Sequence, residues 1–128
     1  MNKAILIGRL VGNPKLKFIN NGKAVANFTI AVDRPFKNQH GEKEADFVPI
    51  VVWGKLAENC ANHIGKGQLV AVEGRLQIRS YDLENGQRKY MTEVVAETVQ
   101  FLDRKKAEED ETGEPDLDIS DFDGMDLF

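Results

Sequence analysis

A single helical interruption in an otherwise period-two chain limits what this sequence can fold into. Between Lys55 and Ile64 the apolar residues Leu56, Cys60 and Ile64 recur every four positions, with Ala57 and Ala61 beside them. That spacing stacks side chains on one face of an amphipathic helix of about three turns. Elsewhere β-branched and aromatic residues recur in runs bounded by Gly, Asn, Pro and Asp: Ala4–Val11, Ala24–Asp33, Asp46–Trp53, Gln68–Tyr81 and Lys89–Leu102. These runs predict five strands. In the second, Ala26, Phe28, Ile30 and Val32 alternate with Asn27, Thr29, Ala31 and Asp33. In the fourth, Val70, Val72, Leu76 and Ile78 alternate with Glu73, Arg75, Gln77 and Arg79. Each strand therefore has one apolar and one wet face.

The turn signals Asn20-Asn21-Gly22, Asn38-Gln39-His40-Gly41 and Glu84-Asn85-Gly86 separate the runs. Three strands, one helix and two further strands, with the helix between strands three and four, is the layout of the five-stranded OB-fold barrel. The expectation is an all-β domain over residues 1–103, followed by a disordered acidic tail over 104–128. The tail follows from how charge is sorted. All 17 Lys and Arg lie at or before Lys106, against 11 carboxylates there, a net of +6; the 22 residues beyond carry the other ten carboxylates and no base. A basic body attracts polyanions, and an acidic tether either covers that surface or is offered to a basic protein. The ending Asp121-Phe122-Asp123-Gly124-Met125-Asp126-Leu127-Phe128 places large apolar groups on a segment too polar to fold alone. Such groups read as anchors for a partner's pocket.

Strand parity then picks out candidate residues. Phe47, Val51 and Trp53 share one parity of the third predicted strand, and Arg75, Arg79 and Tyr81 share one parity of the fourth. Phe36 lies just past the second, between Pro35 and Lys37, at the mouth of a long polar loop. Single-stranded nucleic-acid binders need this mixture, because unpaired bases stack on aromatic planes while cations neutralise phosphate. Phe18, Phe28 and Phe101 have apolar neighbours and are expected in the core or a subunit contact. A module for protein or oligosaccharide contact, with the tail as a solubilising tether, is the alternative from another class.

Four blocks resemble the bacterial single-stranded DNA-binding protein family: Asn2-Lys3-Ala4-Ile5-Leu6-Ile7-Gly8-Arg9-Leu10, Asn21-Gly22-Lys23-Ala24-Val25-Ala26-Asn27-Phe28, Trp53-Gly54-Lys55-Leu56-Ala57-Glu58 and Tyr90-Met91-Thr92-Glu93-Val94. The resemblance runs from Met1 to about Leu102 and resumes at the tip. It implies a homotetramer of OB-folds that wraps single-stranded DNA, with Phe36, Phe47, Trp53 and Tyr81 as stacking residues. Lys55, Arg75, Arg79 and Arg9 are the cations expected to neutralise phosphate. The resemblance also implies an acidic tip, here Asp121, Asp123, Gly124, Met125, Asp126, Leu127 and Phe128, that docks on replication, recombination and repair proteins. Two departures stand out: Leu127-Phe128 replaces the usual Pro-Phe, and the linker from Arg104 to about Asp118 is short. A flexible segment of about 25 residues has a root-mean-square reach of about 28 Å.

Catalysis and cofactors are not expected. His40 and His63 are the only histidines, Ser80 and Ser120 the only serines, and no nucleophile-and-base or metalloprotease motif is present. Gly65-Lys66-Gly67 lacks the spacing of a phosphate loop, and Asp121-x-Asp123-Gly124 lacks the ligand positions of a calcium loop. Cys60 stands alone, so no intrachain disulfide can form. Gly8-Arg9 breaks the opening apolar stretch, no run is long enough to span a bilayer, and a cytoplasmic, nucleoid-associated location is expected.

Overall fold

The computed structural model describes residues 1–103. In chain order the elements are β1 (Ala4–Leu10), β2 (Lys15–Phe18), β3 (Ala24–Lys37), β4 (Lys43–Trp53), α1 (Gly54–His63), β5 (Leu69–Asp82) and β6 (Arg88–Phe101). The expected helix is α1 and the five expected strands are β1, β3, β4, β5 and β6. The expected disorder of the tail and its tip falls on residues 104–128, outside the described residues.

β2 is the element that the sequence did not announce, and it is a continuation of β1. Arg9 and Leu10 pair with Ala31 and Ile30 of β3, and pairing with the same strand resumes from Lys15↔Asn27 to Phe18↔Ala24. Between them the Val11 N–H still donates to the Thr29 carbonyl at 3.0 Å, while Pro14 has no N–H to offer the ladder. β1 and β2 therefore act as one bent first strand. The pairing order β1-β5-β6-β4-β3-β2, together with the β1–β3 contact, closes a five-stranded OB-fold barrel. Every pairing is antiparallel except β4 with β6, where Ile50↔Val94 and Val51↔Val95 run parallel.

The inward residues come from one parity of each strand: Ala24, Ala26, Phe28 and Ile30, then Ile50 and Val52, then Val70 and Val72, then Val94 and Ala96. Ala57, Cys60 and Ile64 lay the apolar stripe of α1 on the same cluster. Burial pushes the Cys60 thiol up from 9.0 to about 11.

One expectation about this core is corrected. Leu76 and Ile78 continue the inward parity of β5 but are 45% and 61% exposed. The register of β5 on β6 shifts between Glu73 and Gly74, and a Cβ at Gly74 would lie 2.0 Å from the Val95 carbonyl oxygen. Only glycine permits that approach, and beyond it the β5–β6 hairpin projects as an arm past the end of the core. Of the three phenylalanines expected in the core or a subunit contact, Phe28 is core, and Phe18 and Phe101 are exposed on the single chain. Phe101 stacks instead on the His63 ring, with centroids 6.1 Å apart.

β3 also runs farther than expected, through Pro35 to Lys37, so Phe36 is a strand residue rather than a loop residue. Its hairpin with β4 is closed by Asn38, whose Oδ1 accepts from the His40 and Glu42 N–H groups at 2.9 Å each.

Candidate nucleic-acid interface

Residues directly opposite one another in a sheet share a face, so the register shows which candidates meet. Lys15 pairs with Asn27, Asn27 with Val51, Val51 with Val95 and Val95 with Arg75. This row crosses five strands on the outward side of the barrel and follows an arc of about 19 Å at roughly 4.8 Å per strand. One step along β4, Trp53 pairs with Val25 and Val25 with Lys17. Two steps the other way, Phe47 pairs with Ala31 and Ala31 with Arg9. From Arg75 the same parity of β5 continues through Gln77 and Arg79 to Tyr81. Phe47, Trp53, Tyr81, Arg75, Arg79 and Arg9 therefore all lie on the outward surface of the barrel.

All four candidate aromatics are open to solvent: Phe36 at 75%, Phe47 at 66%, Trp53 at 41% and Tyr81 at 46%. Core residues of the opposite parity leave them no inward place. Phe36 stands apart from the rows, because the β3–β4 register shifts between Asp33 and Lys37. Its place is on the projecting arm of that hairpin. Trp53 is the most firmly seated. It ends β4 in an extended conformation, at φ −117° and ψ 152°, and serves as the N-cap of α1. Gly54, at φ 72°, then turns the chain into the helix. Lys55 follows on the first helical turn and is exposed.

The cations divide into two groups. Arg79 donates from Nε to Glu93 Oε2 at 2.9 Å, and Gln77 Nε2 donates to the same oxygen at 3.0 Å. The Glu93 side chain is only 3% exposed, so the Arg79 charge already compensates a buried carboxylate. Arg9 donates to Asp103 Oδ2 and to the Gly67 carbonyl, both at 3.0 Å. Arg34 bridges Glu44 at 3.0 Å and Asp46 at 2.8 Å, and its hydrogen bonds hold the Asp46 carboxyl below the usual carboxylate value. By contrast, Lys15, Lys17, Lys23, Lys55 and Arg75 make no ion pair among the described residues. They contribute uncompensated charge to the outward surface, as does Lys89 opposite Tyr81.

Three of these five cations were not among the sequence candidates. Lys15 and Lys17 form the wet parity of β2, a strand too short to stand out. Lys23 leaves the Asn21-Gly22 turn and places Nζ 5.5 Å from the centroid of the Trp53 ring. Its backbone is fixed on both sides: the carbonyl accepts from the Ile19 N–H at 3.0 Å, and its N–H donates to Asn21 Oδ1 at 3.1 Å. A cation over an exposed indole is worth about 0.5–1 kcal/mol. Among the described residues no group of three or more His, Cys, Asp and Glu is placed to hold a metal.

A closed OB-fold barrel with one open aromatic and cationic face is the class that the fold and this surface define. Residues 1–102 match the model of the Single-strand binding protein family. Among relatives, Single-stranded DNA-binding protein 2 of Clostridium acetobutylicum is 62% identical over 104 residues, covering 80% of this chain and 77% of that one. The Single-stranded DNA-binding protein of Halalkalibacterium halodurans is 57% identical over 103 residues, 80% of this chain and 61% of that one. That of Bacillus cereus is 52% identical over 113 residues, 88% of this chain and 66% of that one. The chain belongs to the single-strand binding protein family.

Proposed function

We propose that this protein binds single-stranded DNA without regard to sequence, wraps and protects it during replication, recombination and repair, and does no chemistry on it. The observation that carries this reading is the outward surface on which Trp53 shares a row with Lys17 and on which the exposed Phe47 and Tyr81 have the same parity as Lys15 and Arg75. Bases stack on aromatic planes for roughly 1–3 kcal/mol each, whatever their identity. Lysine and arginine then track the phosphates, and each contact adds about −0.7 to the slope of log affinity against log salt on a single strand. In this reading the barrel over 1–103 binds DNA. The tail over 104–128 recruits partner proteins through Asp121, Asp123, Gly124, Met125, Asp126, Leu127 and Phe128.

The working unit is a homotetramer in the cytoplasm, on the nucleoid. Two features of β1 support self-association. Residues Ala4 to Gly8 pair with β5 on one edge, while β3 reaches only Arg9 and Leu10 on the other. That open edge lies beside Ile5 and Ile7, 69% and 56% exposed, which a second copy would cover. No helix among the described residues is long and apolar enough to cross a membrane.

The test is Trp53 fluorescence during titration with oligo-dT at two salt concentrations, with matched duplex as control. Strong quenching by the single strand alone, weakening with salt, is the expected result. An intact fold with no quenching would assign Trp53 to packing and favour a protein-contact module.

A further inference from the structure

The arm that β5 and β6 form past Gly74 carries Arg75, Arg79 and Tyr81, and few bonds hold it to the barrel. From Gln77 to Asp82, β5 pairs only with β6, and from Arg88 to Glu93, β6 pairs only with β5. The side-chain bonds of Gln77, Arg79 and Asp82 also stay inside this hairpin, on Glu93, Met91 and Arg88. The orientation of the arm is therefore decided at its root.

At that root a side chain takes the place of a strand. The β1–β5 ladder ends at Ala4↔Gly74, and the same register carried on sets Asn2 opposite Leu76. There the Asn2 amide makes both bonds of an antiparallel backbone pair. Its Nδ2 donates to the Leu76 carbonyl at 2.9 Å, and the Leu76 N–H donates to its Oδ1 at 2.8 Å. A side-chain amide offers one donor and one acceptor side by side, as the backbone does; a carboxylate or an aliphatic group of similar size does not. Beside it Lys3 bridges Glu73 at 2.6 Å, which keeps the chain close to β5. Leu76 pairs with Val94 and Val94 with Ile50, so Asn2, Leu76, Val94 and Ile50 form one row across the base of the arm. Asn2 ties β5 into that row from one side, as Ile50 ties β6 from the other.

We propose that Asn2 is a positioning residue for DNA binding: it touches neither base nor phosphate and acts by fixing the angle of the β5–β6 arm. This role rests on the single-stranded DNA reading and falls to a residue outside the aromatic and cationic set. Tyr81 lies beyond Leu76 on β5 by roughly 16 Å at 3.3 Å per residue. A swing of roughly 15° at the root moves its ring by about 4 Å, as far as a van der Waals contact is long. With the row closed, Tyr81 and Arg79 stand at set distances from Trp53 before DNA arrives, so the strand does not have to order them. With the Asn2 bonds removed, the arm is held only through β6 and the bend at Gly74, and each binding event has to restrict it.

The experiment is a double-mutant cycle on the full chain, titrated with oligo-dT at low salt and followed by the fluorescence of Trp53, which lies off the arm. Asn2→Leu removes both hydrogen bonds, and Asn2→Asp keeps the acceptor but loses the donor; each is made alone and together with Tyr81→Ala. Asn2 is exposed and outside the core, so the variants are expected to fold, which melting curves check. Binding weaker by about three- to tenfold, with the final quenching preserved, is the expected result. In the Tyr81→Ala background the loss is expected to shrink to about twofold or less, because it passes through that ring. Amide exchange at Leu76 is expected to quicken in Asn2→Leu even without DNA. Unchanged affinity in the folded variants, or an equal loss with and without the Tyr81 ring, overturns the positioning role and leaves the DNA reading intact. If the unmodified chain itself shows no quenching, the DNA reading fails and the positioning role fails with it.

Discussion

Replacing Arg79 by methionine removes the guanidinium that holds Glu93, and the geometry of the pair bounds the effect. The Glu93 side chain is 3% exposed and that of Arg79 is 55% exposed. Breaking a fully buried ion pair by deleting one partner costs about 3–5 kcal/mol. Here one partner is half in solvent, and the Gln77 hydrogen bond at 3.0 Å survives, so screening reduces the expected loss to about 2 kcal/mol. For a domain of this size that is a fall in Tm of about 10 °C. Thermal melts by circular dichroism, at fixed protein concentration because assembly shifts Tm, are the assay. Arg79→Met with Glu93→Leu removes both charges and is expected to recover most of the loss. The double variant also separates two roles for Arg79. If the guanidinium is a counter-ion to Glu93, the double variant binds oligo-dT with an unchanged salt slope. An unaltered Tm in the single variant, or a slope reduced by about 0.7 in the double variant, would refute the assignment and return Arg79 to the phosphate contacts.

Lys23→Gln is expected to reduce the salt slope by about 0.7 and to change Trp53 emission before DNA is added, because the ammonium 5.5 Å from the ring is lost; intensity and wavelength unchanged from the unmodified chain would remove Lys23 from the site. Phe36→Ala with Tyr81→Ala is expected to abolish oligo-dT binding at moderate salt while the melting curve stays in place. Cys60, buried and with its thiol raised to about 11, is expected to resist thiol reagents at pH 8 until the protein unfolds. A folded thiol value above the unfolded one also means that its contribution to stability is lost as pH rises from about 9 towards 11, which alkaline melts would show. Deleting Asp121 to Phe128 is expected to tighten DNA binding at low salt, since a tethered acid competes at roughly millimolar effective concentration; unchanged or weaker binding counts against that competition.

The period-two runs and the four-residue spacing of Leu56, Cys60 and Ile64 were enough to lay out the barrel, because both report directly which side of an element is buried. They did not reveal β2, whose four residues are all exposed and which is a strand only because β3 offers it an edge. They misplaced Leu76 and Ile78, since alternation records the parity of a strand and not where the core ends. The close approach at Gly74 decides that, and it is a property of two strands together. The same limit applies to the candidate site. Phe47, Trp53, Arg75 and Tyr81 could be grouped by parity within β4 and β5. Lys15 and Lys17 join them only through the β2–β3 register, and Lys23 only through the turn that returns to Trp53. The engagement of Arg9 with Asp103 and of Arg79 with Glu93 depends on partners 94 and 14 residues away, which local spacing does not register.

The parallel contact of β4 with β6 is a narrow join, with only Ile50↔Val94 and Val51↔Val95 in register, and the other join between the same two halves, β1 with β3, also has only two pairs. Phe47 and Trp53 belong to the hairpin on one side of it, Arg75 and Tyr81 to the hairpin on the other. The face is thus assembled from two halves that meet along a seam, and any opening of the seam dismantles it without unfolding either hairpin. A strand lying across both halves binds only the closed arrangement, so it acts as a suture. Its affinity is diminished by whatever fraction of time the seam is open, and in return it suppresses that opening by mass action. Amide exchange at Ile50, Val51, Val94 and Val95 should then slow more on DNA addition than exchange deep within either hairpin.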